Sequence, residues 1–184
     1  MMELSVAETE VENLMSNFRD VGRFIGYCRE CRNYGRSWAC PPFESDPEDE
    51  LRSWKTATII AARIEMPPGD NAVGNALELL QPGRSGLERL LLDLEKNYGG
   101  LAFGFSGGCS HCHTCTRPEG RACRHPELVR PALEAYGFDV CRIMEDILDD
   151  RLQWASGGKL PHSLTLVGAL FHNHPAGSLK IQIA

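Results

Sequence analysis

Four closely spaced cysteines near the middle of the chain constrain its fold more than any other feature of the sequence. They form the pattern C-x2-C-x2-C-x7-C and are Cys109, Cys112, Cys115 and Cys123. Three cysteines at successive three-residue spacings can surround one metal cluster, and a fourth from a nearby turn completes the coordination, as in iron–sulfur ferredoxins. The pattern therefore predicts a loop that binds a metal ion or a metal cluster.

A second cysteine group lies upstream and consists of Cys28, Cys31 and Cys40. A cysteine followed by proline ends the bacterial ferredoxin run, where it often serves a neighbouring cluster. In this chain Pro41 and Pro42 follow Cys40, and they alternatively only make the turn rigid. With three cysteines, the fourth corner is either vacant, and free to bind substrate, or filled by another residue. Cys141 is one candidate, although its place beside the apolar stripe of a helix also suits an inert thiol.

The spacing also bears on the identity of the metal. Four thiolates are soft ligands that select zinc or iron–sulfur. Zinc sites usually combine two separate C-x2-C pairs, whereas a run of three cysteines suits the corners of a cubane. The sequence therefore favours a 4Fe-4S cluster, with zinc as the alternative. His111 and His113 alternate with the cysteines and are further candidate ligands of a mixed zinc site, whereas His125 is interpreted as a surface or supporting residue.

Arginines accompany both cysteine groups: Arg29, Arg32, Arg36, Arg117, Arg121 and Arg124. A cubane bound by four thiolates has a net negative charge, so nearby cations stabilise it and tune its potential. The same cations would alternatively dock an anionic substrate or an acidic redox partner. The remaining interpretation is a solvated, charged face.

The compartment decides what eight cysteines mean. The N-terminus MMELSVAETE does not have the pattern of a signal peptide, and the longest apolar stretches are about half the length of a membrane span. We therefore expect a cytoplasmic protein with no membrane partner. In a reducing cytosol, clustered cysteines bind metal or do redox work, and a disulfide framework is the disfavoured alternative.

Size and charge limit the remaining choices. A chain of 184 residues is predicted to form one cysteine-rich metal-binding domain over residues 1–184, with cysteine segments 28–42 and 109–125. Its net charge of −6 and pI near 5.5 argue against a nucleic-acid partner. No sequence pattern assigns a catalytic residue.

The first third of the chain is predicted to form a helix, a short strand and a second, short helix. Ser5 and Glu8 resemble a capping box at the start of a helix, and apolar residues follow at helical spacing from Val11 to Phe18. A short strand is predicted near Arg23–Tyr27. Asp46 and Pro47 then predict a short helix that ends near Trp54.

The middle of the chain predicts the sheet. Thr56–Ile64 and Leu101–Ser106 are expected strands. Between them we expect a weak helix over residues 71–80, a break at Pro82 and Gly83, and a second helix that opens at Ser85. This order predicts a right-handed parallel βαβ unit, with the cysteine loop at the carboxyl end of a strand.

The last third completes the predicted fold. Pro131–Tyr136 is expected to be a short helix, Asp139 to cap a longer one, and Leu164–Phe171 to form a central strand. The predicted class is α/β (or α+β): a single compact domain with a small mixed sheet, a parallel βαβ unit, helices packed on it and cysteine-rich loops at one end.

The segment FHNHPAG places His172 and His174 two residues apart. This H-x-H-P core is similar to that of zinc-dependent deubiquitinase-type hydrolases, which also need a serine and an aspartate further along. The chain has Gln182 in place of the serine and no aspartate after Asp150, so this interpretation is rejected.

Over nearly its whole length the sequence resembles a bacterial and archaeal domain-of-unknown-function family of predicted metal-binding proteins. The shared motifs are C-x2-C…YG…W-x-CPP and C-x2-C-x2-C…C-R-x-P, the latter followed by E-A-x-G-[IF]-D-V. The resemblance implies the following ligands: Cys28, Cys31, Cys40, Cys109, Cys112, Cys115 and Cys123. Cys141 is not part of this pattern, and Ala132 replaces a serine that many relatives contain.

These observations predict a metal-binding protein with one or two 4Fe-4S clusters, used for electron transfer or redox sensing with an unidentified redox partner protein. One alternative is a structural zinc-binding interaction module without catalysis. A second is an enzyme that uses an iron–sulfur cluster with an open corner.

Overall fold

The computed structural model describes residues 2–67 and 73–181. Its centre is a four-stranded sheet in the order β1-β2-β4-β3, and every neighbouring pair is antiparallel. The strands are β1 (Met2–Glu10), β2 (Thr56–Glu65), β3 (Leu101–Phe103) and β4 (Ser163–His172). Seven of the ten residues of β2 and eight of the ten of β4 are buried, which is why both strands have nearly continuous apolar sequences.

Helices cover both faces of the sheet. They are α1 (Val11–Asn17), α2 (Val21–Arg29), α3 (Glu48–Arg52), α4 (Ala76–Tyr98) and α5 (Val140–Ile147), with 3-10 turns at Val73–Asn75, Arg117–Glu119 and Leu133–Tyr136. Along β2, Ile59 packs in one core with residues of α1, α3 and α5, whereas its neighbour Ile60 packs in the other with α4. Because successive side chains of a strand point to opposite faces, one sheet separates two apolar cores.

The predicted N-terminal helix begins later than expected. Ser5 and Glu8 lie in β1, which pairs with β2 at every position from Met2 to Glu10, and α1 starts at Val11. The capping-box spacing was therefore a wrong signal, because nine residues of ladder pairing outweigh a local preference. The expected strand near Arg23–Tyr27 is also wrong. It lies in α2, which Asp20 caps by accepting a hydrogen bond of 3.0 Å from the Arg23 N–H.

The predicted parallel βαβ unit and the predicted mixed sheet are both wrong, because every neighbouring pair of strands is antiparallel. β2 and β3 do run in the same direction, since each is antiparallel to β4, but β4 lies between them. The strand that separates them comes from the end of the chain, and no local pattern announces so distant a pairing. The central position predicted for this last strand is correct.

The break predicted at Pro82 and Gly83 is also wrong, because α4 continues through both residues. A Cβ on residue 83 would lie 2.3 Å from Ile64 Cδ1, so the glycine lets the helix approach the sheet. The start of the weak helix expected over residues 71–80 lies outside the described residues. The Asp139 cap is confirmed, since its side chain accepts from the Arg142 N–H at 3.1 Å.

In the part of the chain that the structure describes, no helix combines the length and hydropathy that a membrane span requires.

Candidate metal centre

The first cysteine segment begins at the end of α2. Cys28 lies in the last turn of this helix, and Cys31 N–H donates to the Cys28 carbonyl at 3.0 Å, so the helix tightens into a turn. Gly35, with φ +67°, donates to the Pro41 carbonyl at 2.8 Å, which returns the chain toward α2. The Pro41–Pro42 peptide bond is cis. Cys40 is thus brought back beside Cys28 and Cys31.

The second cysteine segment leaves β3 through a glycine turn that Arg84 of α4 supports. The Arg84 guanidinium donates to the carbonyls of Ser106 (3.2 Å) and Gly108 (2.8 Å) and lies 4.7 Å above the Phe105 ring. Gly107 has φ +108°, and a Cβ there would lie 2.7 Å from Arg84 Nη1. Glycine is therefore required at this turn, because a side chain at residue 107 would be strained and would crowd Arg84.

Arg117 joins the two cysteine segments. Its guanidinium donates to the Ser37 carbonyl at 2.7 Å and to the carbonyls of Cys40 and Pro42, and it lies 5.2 Å from the centre of the Trp38 ring. Trp38 Nε1 in turn donates to Thr116 Oγ1 at 3.3 Å. The sequence predicted two separate cysteine groups, whereas the structure brings them into contact.

We expect Arg117→Ala to speed the release of metal from the first cysteine group to a chelator by about 10- to 100-fold, as loss of a group that supports metal ligands typically does. The reason is that three carbonyls on the loop around Cys40 lose their donor. Stopped-flow transfer of bound metal to a coloured chelator measures the rate. Arg121→Ala is the matched control, since Arg121 is exposed and pairs only locally with Glu119. Equal rates for the two variants contradict the prediction.

Two adjoining cavities border the cysteines. The larger cavity, of about 130 Å³, is lined by Cys28, Cys31, Cys40 and Cys109 together with Glu88, His111 and Glu134. The smaller cavity, of about 20 Å³, is lined by Cys109, Cys112, Cys115 and Cys123 together with His111 and His125. Cys109 and His111 border both. All eight cysteines are free thiols, so the thiols are available to a metal.

Burial raises the pKa of several thiols in the metal-free protein. It raises the pKa of Cys28, and the nearby Cys40, Cys31 and Glu134 add to the rise. Burial likewise raises the pKa of Cys40 and of Cys109. A hydrogen bond with the Ser37 side chain partly offsets the rise at Cys40, and one from the His111 N–H partly offsets it at Cys109. Because the thiolate is the ligand, metal binding releases protons and becomes tighter as the pH rises.

Backbone donors also reach the sulfur atoms. The His125 N–H donates to Cys123 Sγ at 3.4 Å, and the His111 N–H donates to Cys109. Such hydrogen bonds to sulfur tune the potential of iron–sulfur clusters. In residues 2–67 and 73–181, no three His, Cys, Asp or Glu side chains are arranged to hold a single metal ion.

Three buried side-chain polar atoms in the described residues have no hydrogen-bond partner, and two of them belong to residues that line the larger cavity. These two are His111 Nε2 and Glu134 Oε2; the third is Trp54 Nε1. His111 Nε2 still lies 3.1 Å from Glu88 Oε1, whereas the Glu134 carboxyl is hydrogen-bonded by its own N–H and the Ser106 side chain and only its Oε2 is left without a partner. Unpaired buried polar atoms cost free energy, so both observations fit a cavity that accepts a ligand or a metal.

Glu134 is the site residue that sequence reasoning missed. It occupies the 3-10 turn Leu133–Tyr136, which ends at Gly137 with φ +92°. The only signal in the sequence is its place as the first letter of the E-A-x-G motif quoted above. Burial raises the pKa of the Glu134 carboxyl to about 7. Hydrogen bonds from its own N–H and from the Ser106 side chain act in the opposite direction.

This pKa predicts how Glu134→Gln changes the metal-free protein. Below about pH 4 the carboxyl is protonated whether the chain is folded or unfolded, so its ionisation does not destabilise the folded state. Between 4.5 and about 7 the folded state retains a proton that the unfolded state has lost, so stability falls as the pH rises. We expect the free energy of unfolding of the variant to rise by about 3 kcal/mol, relative to that of wild type, as the pH goes from 4 to about 8.

Urea unfolding of reduced, metal-free protein at both pH values measures this difference. Glu44→Gln is the matched control, because Glu44 is exposed and its carboxyl meets water in both states. A constant difference between wild type and Glu134→Gln across this pH range contradicts the prediction.

Most other residues named by the sequence lie outside the two cavities, except Arg124, which lines the smaller one. Cys141 is exposed on α5, and the charged groups near it are acids and Arg23 rather than other cysteines. His113 is exposed, with Nδ1 3.3 Å from Thr114 Oγ1. Arg29, Arg32 and Arg36 are exposed around Cys31, whereas Arg121 pairs with Glu119 and Arg124 donates to the Thr114 carbonyl.

The two histidines near the end of the chain serve the fold. His172 is fully buried, its Nε2 lies 2.8 Å from Thr58 Oγ1, and its Nδ1 accepts from the His174 N–H at 3.2 Å. Thr58 donates onward to Glu8 at 3.0 Å. Both nitrogens of His172 are therefore engaged in a polar network across β1, β2 and β4.

These observations define a class of protein: a protein with helices on both faces of one antiparallel sheet, whose seven clustered cysteines surround two adjoining cavities beyond the end of β3. The chain belongs to the family described as predicted metal-binding protein (DUF2284), whose profile matches residues 18–171. The resemblance noted from the sequence motifs is thus confirmed, and metal binding is the family's described property. No curated protein and no solved structure shows significant similarity to the chain.

Proposed function

We propose that the two cysteine groups hold 4Fe-4S clusters and that the protein transfers electrons or senses redox state in the cytoplasm. The observation that carries the proposal is the meeting of seven free thiols around two adjoining cavities. Four of these thiols have the spacing C-x2-C-x2-C-x7-C, which suits the corners of a cubane.

The arrangement of the ligands supports a cluster over a single zinc ion. In a cubane each cysteine binds a different iron, so the thiolates stand apart instead of converging on one point. The spacing of three cysteines at two-residue intervals fits such a spread better than the two separate C-x2-C pairs of most zinc sites. The N–H donors to Cys109 and Cys123 add the contacts by which proteins tune such clusters.

The shared border of the two cavities supports electron transfer. Cys109 lines both, so two clusters held there would be neighbours. Such a cluster, when bound, supplies one-electron chemistry. The chain's own residues hold it through thiolates, and Leu91, Leu92 and Phe105 form an apolar wall that limits access of water to the larger cavity.

An acidic redox protein is the proposed partner. Cys31 is exposed, and so are Arg29, Arg32 and Arg36 on the same segment. A positive rim beside an accessible ligand steers a negatively charged partner toward the metal, with an effect on association rate that salt weakens.

Anaerobically purified protein tests the proposal through its absorption spectrum, with iron, zinc and acid-labile sulfide counted on the same sample. A broad brown band with about four irons and four sulfides per cluster is the expected result. Colourless protein with stoichiometric zinc and no sulfide overturns it and leaves a structural zinc module. Titration of one iron by a small-molecule ligand would instead indicate an enzyme with an open-corner cluster.

A further inference from the structure

We propose that Glu134 is the fourth ligand of the metal bound by Cys28, Cys31 and Cys40, with its carboxylate oxygen in the corner that the cysteines leave unfilled. This inference rests on the proposed metal site at the first cysteine group. It adds a ligand of a different chemical kind, an oxygen among sulfurs, and it assigns a role to a residue outside the cysteine motifs.

The first argument is position. Glu134 lines the larger cavity together with the three cysteines of the first group. Its charge is close enough to Cys28 to add to the rise of that thiol's pKa, after burial and the two neighbouring thiols. A metal bound by the three thiolates in this cavity therefore has the carboxyl of Glu134 beside it.

The second argument is an unsatisfied atom. Glu134 Oε2 is fully shielded from solvent and has no hydrogen-bond partner. A buried carboxylate oxygen without a partner is costly, and coordination to a cation removes that cost. Of the other two unpartnered atoms, His111 Nε2 has Glu88 at 3.1 Å, and Trp54 does not line the larger cavity.

The third argument is the weakness of the competing ligands. Cys141 lines neither cavity and is exposed. Cys109 borders the larger cavity, but the thiols that act on it are Cys123 and Cys112 of the second group. Cys115 lies near Cys40, yet it lines the smaller cavity with the other cysteines of the second group.

The backbone holds Glu134 and Cys28 in a fixed relation. The chain just before α2 pairs with the chain just after Glu134, since the Asp20 N–H donates to the Gly137 carbonyl and the Asp139 N–H to the Phe18 carbonyl, both at 2.8 Å. A Cβ on residue 137 would lie 2.8 Å from Val21 Cα, so only glycine permits this approach. The helix α2, whose last turn contains Cys28, is thus anchored to the turn that contains Glu134.

An oxygen ligand has a specific chemical consequence. Carboxylates are harder ligands than thiolates and bind iron of a sulfur cluster less strongly. The iron at this corner is therefore expected to be the most easily lost. When Glu134 occupies the corner, the site is closed and suits an electron carrier; when it leaves, the same iron is open to a small molecule.

The test compares anaerobically prepared wild type with Glu134→Gln, Glu134→Cys and the exposed control Glu44→Gln. Iron, zinc, sulfide and the EPR spectrum of the reduced protein are measured on each. Glutamine has the same shape but is a poor ligand, so we expect the iron count to fall from about eight to between about four and seven per chain. The signal of the second group should remain. Cysteine should restore the count with an altered spectrum, because it supplies a fourth thiolate, and Glu44→Gln should match wild type.

The outcomes separate this inference from the proposed function. Unchanged iron and an unchanged spectrum in Glu134→Gln overturn the role of Glu134, and so does failure of cysteine to restore the metal. If wild type contains about four irons that Cys31→Ser leaves in place, the first group binds no cluster and only the proposal for the second group stands. Wild type without iron, zinc or sulfide overturns both. Far-ultraviolet circular dichroism of each variant verifies folding.

Discussion

We expect replacement of Cys112 by serine to remove the proposed cluster of the second cysteine group and, with it, about four irons and four sulfides per chain. Cys112 lines the smaller cavity with the three other cysteines of the pattern, and its charge acts on Cys109 beside it. A serine hydroxyl is a harder ligand that remains protonated at neutral pH, so one corner of the cluster loses its thiolate. Iron and sulfide analysis of anaerobic protein, together with the absorbance of the brown band, measures the loss.

Cys141→Ser is the matched control for this experiment, because it also exchanges a thiol for a hydroxyl. Cys141 is exposed and lines neither cavity. The control should retain all the iron and sulfide of wild type. If the two serine variants contain the same metal, the four-cysteine pattern does not bind a cluster.

The second large effect concerns the aromatic core beneath the site. Phe103→Ala is expected to lower the free energy of unfolding by about 3–5 kcal/mol, the usual cost of truncating a buried phenylalanine. Phe103 is fully buried, and its ring centre lies 4.5 Å from that of Phe171 and 5.7 Å from that of Tyr136. Tyr136 belongs to the turn that contains Glu134. The void left by Phe103→Ala should therefore also loosen the proposed first metal site.

Denaturant unfolding of reduced, metal-free protein measures this loss, since a bound cluster would complicate a two-state analysis. Phe103→Leu should cost much less, because it retains most of the buried volume. Trp154→Ala is an exposed aromatic control and is expected to change stability by less than about 0.5 kcal/mol. A small effect of Phe103→Ala, similar to that of Trp154→Ala, contradicts the proposed support of the site.

The contact between the two cysteine segments changes how the family's motifs are interpreted. Arg117 belongs to the second segment, but its donors reach only carbonyls of the first. Its role therefore includes joining the loops, beyond the general electrostatic support that the sequence suggested for all six arginines. The two groups consequently form one centre with a shared border at Cys109.

Some elements could be predicted because their signals are local. The strand from Thr56 is a run of β-branched residues, and β2 begins there. Asp139 precedes an apolar stripe, and its side chain caps α5. The cysteine spacing lies within one short segment, so the candidate ligands of the second group are visible without a structure.

Other elements could not be predicted because they depend on distant partners. Residues 2–10 form a strand only because β2 offers its edge along nine positions. Nothing in the sequence distinguishes Arg84, and Arg117 is there only one of six arginines near the cysteines. In the structure each donates to backbone carbonyls of a distant loop. Glu134 is an ordinary glutamate until folding buries Oε2 beside three thiols.

The sequence by itself determined the chemistry of this protein: which thiols are grouped, in which order, and which family they indicate. These properties depend on residue type and short spacing, which an unfolded chain already possesses. Only the tertiary structure decided that β4 separates β2 from β3, that the two cysteine groups meet, and that a buried carboxyl lines the larger cavity. These properties arise from contacts between residues far apart in the chain, whose free energy depends on packing and burial rather than on local preference.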